Sequence, residues 1–349
     1  MIKHSQNRDN IGLIITNLPR YDMMITYLWK VENMKIVILD AHAMNPGDLS
    51  WDKVERYGEL VLFDKTKQEE IIKNISDAQI VLTNKTVLDR ETIEKMTNVQ
   101  YIGVMASGYN VVDIEAAKQH NIVVTNVPGY STLSVAQHVF ALLLEAYVQV
   151  GKHNELIKQN KWALSEDFCF YQGDFFELQH KTIGVVGYGN IGKAVVKIAQ
   201  AFNMNVLIYD KGKIEPCNDG KKVSFDELVS LSDIITLHVP LKTETQHMFN
   251  KNTISKVKPN CVLINTARAQ LVDKDALIAA LNNNQLAYYC TDVFDSEPPI
   301  LNDPLILHPK SIITGHMAWA TKEARTRCIE IIADNIEAFI NHRPINKVN

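Results

Sequence analysis

Short runs of β-branched and aliphatic residues alternate with helix-sized segments along almost the whole chain, and this alternation constrains the fold more than any other feature. The first part carries KIVIL (35–39), LVLF (60–63), QIVLT (79–83), YIGVM (101–105) and IVVT (122–125). The second carries TIGVVG (182–187), NVLIYD (205–210), DIITLHV (233–239), CVLINTA (261–267), YYCTDVF (288–294) and SIITG (311–315). Strand, helix, strand in succession argues for parallel sheets built from βαβ units. With 349 residues, two such domains are the natural expectation. The fold class expected is therefore α/β, with two doubly wound parallel-sheet domains.

TIEKM (92–96) and VDIEAAKQH (112–120) read as connecting helices. A longer helix begins near Thr132, with Ser131 or Thr132 as N-cap and LSVAQHVFALLLEAYV beneath it. Its apolar surface is nearly continuous through Val139, Phe140, Leu142 and Leu143, so it must be covered on most sides, between domains or by a second subunit. The last helix, Lys322 to about Ile340, has no new strand to serve. It is expected to return to the first domain and make that domain discontinuous.

A net charge of −4 gives no basic footprint for nucleic acid. No apolar run reaches eighteen residues, so no membrane partner is expected. The five cysteines (Cys169, Cys217, Cys261, Cys290, Cys328) lack CxxC spacing, which suggests reduced, buried thiols in the cytoplasm rather than disulfides or a metal site. Residues 1–33 hold too short an apolar core for a signal peptide. They read as an extension detached from the strand that Met34 opens, and Met34 is the expected native initiator, because codons for 30–33 permit a ribosome-binding sequence.

Directly after the strand TIGVV comes Gly187-Tyr188-Gly189-Asn190-Ile191-Gly192, which opens the helical KAVVKIAQAF; Asp210 closes the next strand, 18 residues after Gly192. In a βαβ unit this is the dinucleotide-binding pattern. Gly187 allows the tight turn, Gly189 lets the backbone approach a pyrophosphate, and Gly192 lets helix and strand pack closely. The helix start, with Asn190 and Ile191, offers amides and a positive dipole to phosphates. Asp210 can accept ribose hydroxyls and would repel a 2′-phosphate, which points to NAD. His238-Val239-Pro240, Thr266-Ala267 and Asp292 end three further strands and are expected along the cofactor, Asp292 at the nicotinamide carboxamide or else as a helix cap.

Arg268, Glu297 and His316 follow the ends of three strands, where open α/β sheets bind ligands. Their chemistry suits hydride transfer between NADH and a 2-oxo acid. An imidazolium can protonate the developing alkoxide, and a carboxylate beside it favours that charged form. A guanidinium fork can hold carboxylate and keto oxygen together. In the first domain, the turn Ala106-Ser107-Gly108-Tyr109 can offer backbone amides to a substrate carboxylate, unless it is an ordinary loop.

These residues resemble the D-isomer-specific 2-hydroxyacid dehydrogenases from about Met34 to the chain's end, and within that family the glycerate dehydrogenase/hydroxypyruvate reductase subgroup. The segments that carry the likeness are ASGYNVVDIEAAK (106–118), VTNVPGYSTLSVAQHVFALLLE (124–145), GVVGYGNIGKAV (184–195), INTAR (264–268), DVFDSEPP (292–299) and HMAWATKEARTR (316–327). The resemblance implies that Arg268 binds substrate, Glu297 pairs with the histidine and His316 is the acid–base. It places Lys85 near the substrate pocket. It implies a Rossmann NAD-binding domain, expected over 114–317, and a flavodoxin-like substrate domain, expected over 34–113 and 318–349. It also implies a homodimer through the helix near Ser134–Val148. The reaction implied is NADH-dependent reduction of hydroxypyruvate or glyoxylate to D-glycerate or glycolate, by an enzyme whose substrate lies in a cleft between the two lobes.

Three departures stand out. Ala269-Gln270 follow the arginine where the family has glycine next, Gly315 replaces the proline before the histidine, and Tyr171 stands where the subgroup often has tryptophan. Glycine in place of proline leaves His316 less rigidly held. Enzymes acting on bulkier 2-oxo acids stay open as an alternative, as does a degenerate NADH-sensing or corepressor-like binding protein. Formate dehydrogenases fit less well, since they carry glutamine where Glu297 stands.

Overall fold

The computed structural model describes residues 34–212 and 219–349. The expectations for residues 1–33 and for Cys217 lie outside the described residues. The chain forms two compact units, one of residues 34–130 with Lys322–Asn349, the other Ser131–Thr321.

In the first unit, β1 (Lys35–Ile38), β2 (Glu59–Leu62), β3 (Ile80–Thr83), β4 (Tyr101–Val104) and β5 (Val123–Thr125) form a parallel sheet in the order β2-β1-β3-β4-β5. This is the flavodoxin-like order. Strands β3 and β4 are buried along their whole length, whereas edge strand β2 is half-exposed. Sheets covered on both faces read as continuous apolar runs for this reason. The final helix, Lys322–Ile340, returns to this unit as expected. Phe339 packs on Tyr101 with ring centroids 4.9 Å apart, and Asn335 Nδ2 donates to the Asn126 carbonyl at 2.9 Å. The buried Arg325 grips Asp48 through both guanidinium nitrogens, at 2.7 and 2.8 Å.

The second unit holds β6 (Thr182–Val186), β7 (Asn205–Tyr209), β8 (Lys221–Lys222), β9 (Ile234–Leu237), β10 (Cys261–Asn265), β11 (Leu286–Thr291) and β12 (Ser311–Ile313). Their order is β12-β11-β10-β9-β6-β7-β8, all neighbours parallel. The order reverses at β6, the switch point of a Rossmann sheet. The two-lysine edge strand β8 carries no apolar signature and was not expected; charged edges discourage pairing with other chains.

Three expectations need correction. The units meet at 130/131 rather than 113/114, because β5 pairs with β4 in the first sheet (Tyr101↔Val123, Ile102↔Val124) and the helix Ile114–Gln119 leads into it. The return begins at 322 rather than 318, because Met317 and Ala318 bond to Asp292 within the second unit. The long helix Thr132–Val148 needs no second subunit to cover its apolar face, since Val139, Phe140, Leu142 and Leu143 are buried in a core shared with β6, β10 and the helix Asn190–Ala201 of its own unit. Among the described residues no single helix is long and apolar enough to cross a membrane; this helix and Val150–Lys158 pass together only as a bent pair. Cys261, Cys290 and Cys328 are buried free thiols, with proton loss disfavoured by burial, but Cys169 is only half-buried.

The Arg325 guanidinium holds the Asp48 carboxyl below the ordinary carboxylate range. The folded carboxyl then binds its proton more weakly than the unfolded one, so the pair stabilises above the carboxylate range and is lost as pH falls through the folded value. Asp48→Asn should reduce the drop in urea midpoint between about pH 5 and pH 3; an unchanged drop would deny the pair any such contribution.

Candidate functional site

Sheet register aligns the strand ends of the second unit on one row. Tyr209 pairs with Val186, Val186 with Leu237, Leu237 with Asn265, Asn265 with Thr291 and Thr291 with Ile313. The next residue on each strand is Asp210, Gly187, His238, Thr266, Asp292 and Thr314. Five of these six were singled out from the sequence. Arg268 and His316 each stand three residues past the row, on β10 and β12, two strand spacings or roughly 10 Å apart across the sheet.

At the switch point, Gly187 adopts φ 99°, and a Cβ there would lie 2.6 Å from the His238 carbonyl oxygen. A Cβ on Gly192 would strike the Gly187 carbonyl oxygen. Gly189 differs: its Cβ would meet nothing within 4 Å. No packing against the protein requires glycine at this helix cap, which leaves open backbone where a pyrophosphate would lie. Asp210 accepts hydrogen bonds from the backbone N–H of Tyr188 and of Gly212, both at 2.7 Å. One bond to each oxygen leaves each with acceptor capacity for a ribose hydroxyl. The Oγ1 of Thr266 is buried with no hydrogen-bond partner, an orphan that a bound ligand can satisfy. His238 bonds Thr236 through Nε2 at 2.9 Å, and burial pushes it down to about 3, so it is neutral. Open backbone, a free acceptor edge and an orphaned hydroxyl along one row fit NAD.

Beyond β10, buried Asn265 shapes the loop that presents Arg268. Its Oδ1 accepts from the Ala267 N–H at 3.0 Å, and its Nδ2 donates to the Arg268 carbonyl at 2.9 Å. Sequence reasoning passed over Asn265; an asparagine inside an apolar strand was the available signal. Ala269 begins a 3₁₀ turn and is absent from the residues with positive φ, so this turn does not demand the family's glycine.

Beyond β12, His316 Nδ1 lies 2.6 Å from Glu297 Oε2, while Glu297 Oε1 accepts from the Phe294 N–H at 3.0 Å. Each carboxylate oxygen is engaged, so the acid has a fixed orientation toward the ring. His316 itself has φ 53°, in the left-handed region. Non-glycine residues there cost of order 1–3 kcal/mol and persist only where surroundings determine them. Asp292 supplies much of that determination: it accepts from Thr314 Oγ1 (2.6 Å), Met317 N (2.9 Å) and Ala318 N (2.8 Å). The freedom expected from Gly315 is taken up by these bonds.

Lys85, Ser107 and Gly108 belong to the first unit. Asp40, buried at the end of β1, accepts from the backbone N–H of Asn84, Lys85 and Thr86 and so fixes the turn carrying Lys85. The Ser107 hydroxyl donates to the Val127 carbonyl at 2.9 Å. Tyr171 is exposed and stands edge-on to Phe175.

The profile described as "D-isomer specific 2-hydroxyacid dehydrogenase, NAD binding domain" matches residues 140–318, nearly the whole second unit. A hydroxypyruvate reductase of Blautia hydrogenotrophica is 44% identical over 322 residues, covering 90% of this chain and 100% of that protein. The chain belongs to the D-isomer specific 2-hydroxyacid dehydrogenase family. It is accordingly an NAD-dependent dehydrogenase. A glycerate dehydrogenase of Methylorubrum extorquens is 34% identical, over 90% of this chain and 98% of that one. Among solved structures, an acyclic imino acid reductase (Bsp5) in complex with NADPH and D-Arg superposes with TM-score 0.80 at 32% identity, covering 90% of this chain and all of that one.

For this dehydrogenase, Asp210→Ala should narrow the gap between NADH and NADPH in kcat/KM. A variant with the full NADH preference would remove Asp210 from cofactor choice.

Proposed function

We propose that this enzyme reduces hydroxypyruvate or glyoxylate to D-glycerate or glycolate. The reading rests chiefly on the 2.6 Å His316–Glu297 pair at the end of β12, on the same row of strand ends as the Arg268 loop. The names of the hydroxypyruvate reductase and glycerate dehydrogenase relatives support the substrate class. Bound NADH supplies the hydride. His316, with Nδ1 committed to Glu297, donates a proton from Nε2 to the carbonyl oxygen as that oxygen gains charge. Glu297 stabilises the imidazolium and keeps its ring turned. Arg268 binds the substrate carboxylate and keto oxygen through its planar fork. Asp292 has three acceptor sites filled, which leaves one on Oδ2 for the carboxamide. Gly187, Gly189, Asn190, Ile191 and Gly192 hold the phosphates, and His238, Val239, Pro240, Thr266 and Ala267 line the cofactor. For Lys85, Ser107 and Gly108 we propose a supporting role toward the substrate carboxylate, carried by the sequence pattern.

We further propose a cytoplasmic homodimer. Buried free thiols support the compartment. Apolar side chains exposed on and after the long helix, at Leu133, Val150, Leu164, Phe168 and Phe176, support self-association.

NADH oxidation with hydroxypyruvate, glyoxylate, pyruvate and phenylpyruvate tests the substrate assignment; faster turnover of phenylpyruvate would move it to a bulkier acid, and no turnover of any would reject it. His316→Ala should lower kcat by about 10²–10⁴ with little change in NADH binding. Undiminished turnover would reject the acid–base role.

A further inference from the structure

His138 lies on the helix Thr132–Val148, far in sequence from the strand-end loops, yet its Nε2 is 2.8 Å from Thr314 Oγ1. Thr314 has one hydroxyl hydrogen and directs it to Asp292 Oδ1 at 2.6 Å. The hydroxyl must therefore accept from His138, which fixes the Nε2–H form of that imidazole. Asp292 Oδ1, 3.6 Å from the same nitrogen, accepts from Met317 N as well, and Oδ2 accepts from Ala318 N. Four residues earlier on the helix, Ser134 Oγ donates to the Ala318 carbonyl at 2.6 Å. Thr314, Met317 and Ala318 bracket His316, whose left-handed backbone needs restraint on both sides. The helix thus reaches the loop twice: directly through Ser134, and through His138, Thr314 and Asp292 in series.

We propose that His138 is a positioning residue for the proton-transfer step, holding Thr314 and through it Asp292 in the arrangement that sets the His316 ring over the substrate carbonyl. The proposal rests on the assignment of His316 as the acid–base. It predicts a loss in kcat rather than in substrate binding, because Arg268 holds the substrate while His138 acts on the geometry of proton delivery. Misplacement by about 1 Å costs up to about 10²-fold in rate.

Steady-state kinetics with NADH and hydroxypyruvate test this. His138→Leu and Thr314→Val should each lower kcat by about 10-fold or more, with KM for hydroxypyruvate little changed. His138→Gln, whose amide N–H replaces the imidazole donor, should recover most of the loss. The double variant His138→Leu/Thr314→Val should be no slower than the worse single one, since both break the same chain. Wild-type kcat in His138→Leu, no recovery in His138→Gln, or losses that multiply in the double variant would each overturn the proposal. Should His138→Leu fail to fold, Thr314→Ser against Thr314→Val asks the same question, and equal turnover of that pair overturns it. A slow His316→Ala enzyme beside a fully active His138→Leu enzyme rejects this inference alone. A fully active His316→Ala enzyme rejects the reading beneath it.

Discussion

The parallel ladder of the second sheet is the constraint from which the site follows. Each parallel pairing fixes the level of one strand against the next, and the pairings here bring six strand ends to a single row. A slip of one residue would turn every side chain to the opposite face of the sheet. It would also draw the charged Asp210 into the strand in place of Tyr209. Apolar burial therefore enforces register, and register places the polar residues. The chemistry needs no long-range attraction among Arg268, Glu297 and His316 to assemble them, because the core has already done so.

This explains why so much was legible in the sequence. Most strand limits came within a residue or two, since apolar runs in doubly covered sheets end where the backbone meets solvent or ligand; YYCTDVF ran three residues past the end of β11. The glycine turn was legible because Gly187 and Gly192 answer to local sterics. What escaped depends on contacts distant in sequence. The helical pattern of 114–119 looks the same whichever sheet it serves, so the unit boundary was set too early. The long helix appeared to require an outside partner because a sequence does not reveal that β10, β11 and the helix Asn190–Ala201 cover its apolar face. Ser134, His138 and Thr314 look like ordinary helix and strand residues, and only the fold joins them to positions more than 170 residues away.

The departures from the family pattern can be weighed on the same terms. Gly315 drew attention because glycine is the residue that tolerates unusual backbone angles, yet the left-handed conformation falls on His316. A proline at 315 would restrict φ of residue 315 and the backbone of Thr314 before it. It could not hold residue 316 in the left-handed region, and the carboxylate that accepts from the two following amides does so in either case. Loss of proline thus acts mainly on the unfolded chain, which gains conformations to lose on folding, and costs stability more than placement. Ala269 is milder still, since its backbone lies where any residue is comfortable. Neither change alters a group that the proposed proton transfer uses, so both count as departures in stability rather than in chemistry. Asp292, buried and committed on both oxygens, is what makes that tolerance possible: it moves the task of orienting His316 from the residue before it in sequence to a carboxylate one strand away.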